Sequence, residues 1–282
     1  MRPFSRSLRA RRVAVLTALS LFVLPAVIEA IYVSPTAVFM DDRTQAAQIT
    51  IGNSGDRPEE ATVELKFGFP DADSAGTPYV RFVDDPGPEF PSAADWIRPF
   101  PQRVRLEPGT SQVVRLLARP PAGLPDGEYW TRMIVTGRGA VLHVASADTA
   151  VQAGVNLEIR LVTSVMYRKG RVTTRVVVRN VAAEAEGDSL SVWANMTREG
   201  NAAFLGTADV ELVNGRRGMV RHWSTPLSVH YAMRRRFSFP LDSIAPGDYF
   251  VRFRLRAQRP DLPAERVLPA PTVLDSVAIR IE

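Results

Sequence analysis

The three histidines, His143, His222 and His230, are the first residues to test for catalysis, and their spacing is not that of metal ligands. The chain has no cysteine, which removes thiol chemistry and disulfide bonds together. Paired acids occur at Asp41-Asp42, Glu59-Glu60 and Asp84-Asp85. Neighbours on a strand point to opposite faces, so such pairs make poor shared acid–base sites and are better explained as solvated turn residues. No G-x-S-x-G, H-E-x-x-H or phosphate-loop pattern occurs. These residue types predict a protein that is not an enzyme and holds neither metal nor cofactor.

The chain does carry charge in rows. In "YFVRFRLRA", residues 249–257, Arg252, Arg254 and Arg256 alternate with Val251, Phe253 and Leu255, which places the three guanidinium groups on one face of a strand. "MRRRF" at 233–237 adds to them. Such a row fits an anionic polysaccharide or an acidic partner. In an arginine-rich chain whose only lysines are Lys66 and Lys169, it fits a solvated outer sheet face better.

The elements that must position these residues are strands. Past residue 30 no long amphipathic helical pattern occurs; short alternating runs of β-branched and aromatic residues are broken by Gly, Pro, Asn and Asp clusters. Strands are predicted over 46–53, 60–69, 103–108, 111–118, 128–137, 171–180, 190–197, 208–213 and 249–257. "LPDGEYW" at 124–130 returns as "IAPGDYF" at 244–250, each leading into an alternating strand. Gly127 and Gly247 suit a corner that needs a positive φ, and the hydroxyls of Tyr129 and Tyr249 can reach nearby backbone, as in a tyrosine corner. The interval between the copies is that of one sandwich domain. The fold class is therefore all-β, two tandem immunoglobulin-like β-sandwiches over 31–168 and 169–282, changing over near "YRKGR". The Pro- and Asp-rich stretch 69–96 lacks strand character and is expected to be a surface excursion, which is more often a tolerated insertion than a functional loop.

Residues 1–30 read as an export signal, with Arg2, Arg6, Arg9, Arg11 and Arg12 before an apolar run and Ala30 before the cut; Ala26 is an alternative site. An uncleaved anchor fits less well, because the run is short and contains Pro25. Without these residues the charge of +5 falls to +1, since five arginines and Glu29 leave with them. Basicity therefore offers little support for nucleic-acid binding. The expected location is the periplasm.

"VQAGVNLEIRLVTSVMYR", residues 151–168, places Val151, Ala153, Val155, Leu157, Ile159, Leu161, Thr163, Val165 and Tyr167 on one face of a long strand. With "YVSPTAVFMDD" (32–42), "AAQITIGNSGDRPEEATVEL" (46–65) and "RVRLEPGTSQVVRL" (103–116), the region 31–168 resembles the periplasmic pilus-assembly chaperones (PapD-like). The second half resembles that family only in size, order and β character. The resemblance implies a protein that lends an edge strand to an exported pilin-like or other surface subunit, with Val155, Leu157 and Ile159 as the apolar knobs and an outer-membrane usher as a further partner. It also implies two basic residues in a cleft between the domains, which hold the subunit's terminal carboxylate. Here those positions are Thr36 and Ser164, neither basic, and Arg160, on the same strand face as Ser164, is a substitute. Arg115 and Glu128 fall where the family has an ion pair near the domain junction. The non-basic cleft keeps open a different class, a structural or adhesion module of the cell envelope without chaperone activity. A hydrolase of envelope polymers is a more distant reading.

Overall fold

The computed structural model describes residues 31–144, 153–215 and 218–282, with the backbone alone for 139–144 and 153–157. The expected export signal and Val151 lie outside the described residues. The strands run β1 (Ile31–Ser34), β2 (Ala37–Asp41), β3 (Ala46–Asn53), β4 (Glu59–Lys66), β5 (Gly68–Ala72), β6 (Pro78–Phe82), β7 (Ile97–Phe100), β8 (Arg103–Leu106), β9 (Ser111–Ala118), β10 (Gly127–Val144) and β11 (Ala153–Lys169). They continue through β12 (Thr174–Glu186), β13 (Ser189–Gly200), β14 (Phe204–Asn214), β15 (Gly218–Val229), β16 (Met233–Pro240), β17 (Gly247–Arg256) and β18 (Val273–Ile281). Among the described residues the only helical element is a 3-10 turn at Ala264–Arg266.

Two tandem immunoglobulin-like sandwiches result. In the first, a sheet ordered β1-β3-β9-β7 faces one ordered β2-β11-β10-β4-β8; in the second, β12-β13-β16 faces β15-β14-β17-β18. Alternation builds both cores. On β9, Val114, Leu116 and Ala118 turn inward while Val113, Arg115 and Leu117 face water. They meet Ile49 and Ile51 of β3 and Met133, Val135 and Val165 of the facing sheet. The second core centres on Val210, Leu212, Val251, Phe253 and Leu255. The repeated phrase forms two matching corners, Tyr129 Oη donating to the Pro125 carbonyl at 2.9 Å and Tyr249 Oη to the Ala245 carbonyl at 2.7 Å. Gly247 takes φ 151°, whereas Gly127 is not among the positive-φ glycines, so the first corner closes without that freedom.

The 69–96 excursion departs from expectation. It contains a hairpin, β5 with β6, that crosses to the second sandwich, where the Arg236 amide donates to the Gly76 carbonyl at 2.8 Å. Gly76, at φ 81°, permits the approach, since a Cβ there would lie 2.7 Å from the Arg236 nitrogen. Every residue of β6 is exposed, so no buried face imposes the alternation that would announce a strand. Beside the hairpin a third apolar cluster joins the sandwiches: Phe67, Phe69, Trp130 and Met166 from the first half pack with Ala203 and Leu205 from the second. Tyr231 meets Phe69 at 4.6 Å and Trp130 at 5.7 Å between ring centroids, both edge to face.

Candidate functional site

β11 pairs with β10 along its whole length, from Gly127↔Lys169 to Val144↔Ala153. On its other side β2 runs parallel to it only from Ser164↔Ala37 to Arg168↔Asp41. Among the described residues no strand pairs with that edge over 153–163. Beyond Arg138↔Glu60, β4 also leaves β10, so Ala140–Val144 and Ala153–Leu157 form a two-stranded ribbon clear of the sheet, entered through a bulge at Arg138/Ala140.

The register says which backbone groups the open edge offers. The Ser164 amide donates to the Thr36 carbonyl at 3.2 Å, on the β2 side. By the two-residue period, the N–H and C=O of Glu158, Arg160 and Val162 point to the same side and there find no strand. Side chains of the odd residues continue the core face: Thr163, Val165 and Tyr167 are buried, while Leu161 and Ile159 are half-buried as the face leaves the sandwich. Such an edge, apolar on one face and with unpaired amides, is a template for another chain. The side chains of Val155 and Leu157 lie outside the described residues; their backbone belongs to the ribbon.

Below the open edge, Thr36 and Ser164 line a cavity of about 330 Å³ between the sandwiches with Ser228, His230, Arg259 and Asp261. The substitute cation expected at Arg160 is not there. Arg160 is exposed and bound to Glu158 at 2.8 Å, on a carboxylate shared with Arg138. The cation at this level is Arg132, directly across the β10–β11 register from Ser164. It is 6% exposed, donating through Nε to the Gly68 carbonyl at 3.0 Å and through Nη1 to the Ser164 hydroxyl. Burial draws its guanidinium down to about 10, so it remains charged at neutral pH. A hydroxyl that accepts from a cation keeps its own proton to give away, so Ser164 can present the charge of Arg132 to the cavity. Composition gives no sign of this, because Arg132 and Ser164 meet only through strand pairing.

The expected Arg115–Glu128 ion pair is absent. Arg115 sits on the outer face of β9, beside Phe100 of β7, and faces water. Glu128 is fully buried and binds Arg168 at 2.7 Å, across the register of β10 and β11. Its second oxygen accepts from Trp130 Nε1 at 2.8 Å and from the Ala203 amide at 3.1 Å, the latter in the second sandwich. Alternation explains the error: on β9 the odd residues 113, 115 and 117 point away from the core. Glu128 therefore does join the halves, with another partner.

The arginine row on β17 is largely neutralised. Arg256 Nε binds Asp209 at 2.6 Å and Arg254 binds Glu211 at 3.3 Å, both acids on the adjacent β14. Burial pushes the Asp209 carboxyl upward, but hydrogen bonds from Arg256 and Ser224 and the charge of Arg256 outweigh it, holding the group below its ordinary value. Two of the row's three arginines are thus ion-paired on an outer face.

No family model matches the sequence, and no curated protein matches it. Among solved structures the chain is similar to the CsuC–CsuE chaperone–tip adhesion subunit pre-assembly complex from archaic chaperone-usher Csu pili of Acinetobacter baumannii, at 12% identity over 74% of this chain and 89% of that one, TM-score 0.41. It is also similar to the Pseudomonas aeruginosa CupB2 chaperone, at 15% identity over 88% and 98% of the two chains, TM-score 0.38. The E. coli chaperone DraB gives 15% identity over 79% and 89%, TM-score 0.37. At these values the likenesses assign neither residues nor function to this chain.

Proposed function

We propose that this chain is a periplasmic, non-enzymatic chaperone-like protein that captures exported pilin-like or other surface subunits by lending them the open edge of β11. The observation that carries this reading is the edge itself. Over 158–162 it combines unpaired amides with an apolar face that includes Ile159, and the strand continues into a ribbon whose sequence supplies Val155 and Leu157 in the same alternation. A subunit lacking one strand would gain main-chain hydrogen bonds along the edge and three apolar side chains, each contributing about 1.5–3 kcal/mol before the cost of ordering.

The cavity under Ser164 suits the end of such a strand. A terminal carboxylate there would meet the Ser164 hydroxyl, with the buried charge of Arg132 behind it. Arg259 also lines the cleft but is paired with Asp261, so the relay through Ser164 supplies the uncommitted charge. The division into domains at 31–168 and 169–282 belongs to the same reading, with the cleft between them. An outer-membrane usher as a further partner follows from the proposal alone.

Co-expression with a pilin-like subunit, followed by affinity capture, tests it. Leu157→Asp and Ile159→Asp should abolish capture while leaving the monomer folded; undiminished yield would overturn strand donation. A folded wild-type chain that captures no such subunit would favour the envelope-module reading, to which the non-basic Thr36 and Ser164 lend support.

A further inference from the structure

His230 follows β15 and closes one wall of the cavity that Thr36 and Ser164 line. It is 2% exposed, its Nδ1 is enclosed without a hydrogen-bond partner, and its ring meets Trp130 of the first sandwich at 4.6 Å, edge to face. A polar ring atom left in this state in a native interior calls for an explanation.

The charges around it are unequal. From β10 come Arg132 and Glu128, from β13 Arg198, and from the segment after β17 Arg259 and Asp261. Both acids are committed. Glu128 is held by Arg168, Trp130 and the Ala203 amide, and Asp261 by two bonds from Arg259, at 2.7 and 2.6 Å. Arg198 lies over the rings of Trp130 and Tyr231 and bonds to the carbonyls of His230 and Gly200. Tyr231 stays neutral, pushed up to about 12 by burial. Glu89 is exposed and acts on Tyr231, so an imidazolium at 230 would face the unpaired charges of Arg132 and Arg198, with Arg259 offset by Asp261. Burial first, then Arg132 and Arg198, hold the ring well below its ordinary 6.5.

A carboxylate in the cavity would reverse this balance by supplying the missing anion. We infer that His230 takes up a proton from solvent when a partner's carboxylate enters the cleft, so that capture tightens in mild acid. This rests on the carboxylate seat proposed above. Its sign follows from linkage: the bound state holds more protons than the free state, so affinity rises as pH falls below the bound-state value of His230. Within that window the gain approaches about tenfold per pH unit, and it ends where the free chain's His230 also protonates or where the carboxylate does, near ~3.5.

The test uses the full mature chain and a short alternating apolar peptide, with either a free carboxyl terminus or a terminal amide, titrated calorimetrically at about pH 7.5 and about pH 5.5. The expected result is tighter binding of the free acid, with an advantage over the amide that grows on acidification. His230→Gln should keep the acid preference and lose its pH dependence. Proton uptake counted on the wild type in two buffers of different ionisation enthalpy needs no variant, and should approach one proton for the acid peptide and none for the amide. An acid preference with no proton uptake, or the same pH dependence in His230→Gln, overturns the role of His230 and leaves the carboxylate seat standing. No preference for acid over amide, or no binding of either, overturns the seat and this inference with it.

Discussion

At the scale of the residue, two buried side chains on β10 organise the junction. Glu128 holds Arg168 in its own sheet with one oxygen and the Ala203 amide across the divide with the other, and Arg132 places a cation behind a hydroxyl that faces the cavity. Removing one member of a buried pair leaves the other charge unmatched, so Glu128→Ala should cost about 3–5 kcal/mol of stability in denaturant unfolding, more than Arg115→Ala, which should cost about 0.5 kcal/mol or less. Equal losses would contradict the assignment. The sequence marks Glu128 through "DGEYW" but hides its partner, because Arg168 lies 40 residues away and reaches it only by strand register. Arg132 is hidden for the same reason. A cation sought at Thr36 or Ser164 is not found there, because Arg132 stands one strand over.

At the scale of the element, alternation made most of the chain readable. β3 and β9 occupy the predicted 46–53 and 111–118, and both tyrosine corners close through backbone four residues upstream. What alternation cannot report is an element whose burial comes from elsewhere. β6 has no buried face, and β5 contributes Phe69 to a cluster completed by residues from the other sandwich. The open edge of β11 is likewise invisible in its own residues, since it depends on where β2 stops. Phe69→Ala tests the excursion as a connector rather than a tolerated insertion. It should cost about 3–5 kcal/mol, as for a large ring removed from a packed cluster, and widen the solution scattering envelope. An unchanged envelope and midpoint would make the excursion an ornament.

At the scale of the whole molecule, the two sandwiches, the hairpin that spans them and the apolar cluster between them hold a cleft at the foot of an unpaired strand edge. Each half is held by its own core, as a chain without disulfides requires, and the orientation between them is fixed by Phe69, Tyr231 and Glu128. On the proposed function, that fixed orientation lets the edge take the length of a guest strand and the cavity its end. On the same proposal, a guest strand pairs with β11 along the edge that β2 leaves free. Amide hydrogen exchange of the purified complex with a captured pilin-like subunit measures this directly. The amides of Glu158, Arg160 and Val162 should exchange readily in the free chain and become strongly protected in the complex, while those of the odd residues between them, already paired with β10, change little. Capture without new protection at these three amides would contradict strand donation.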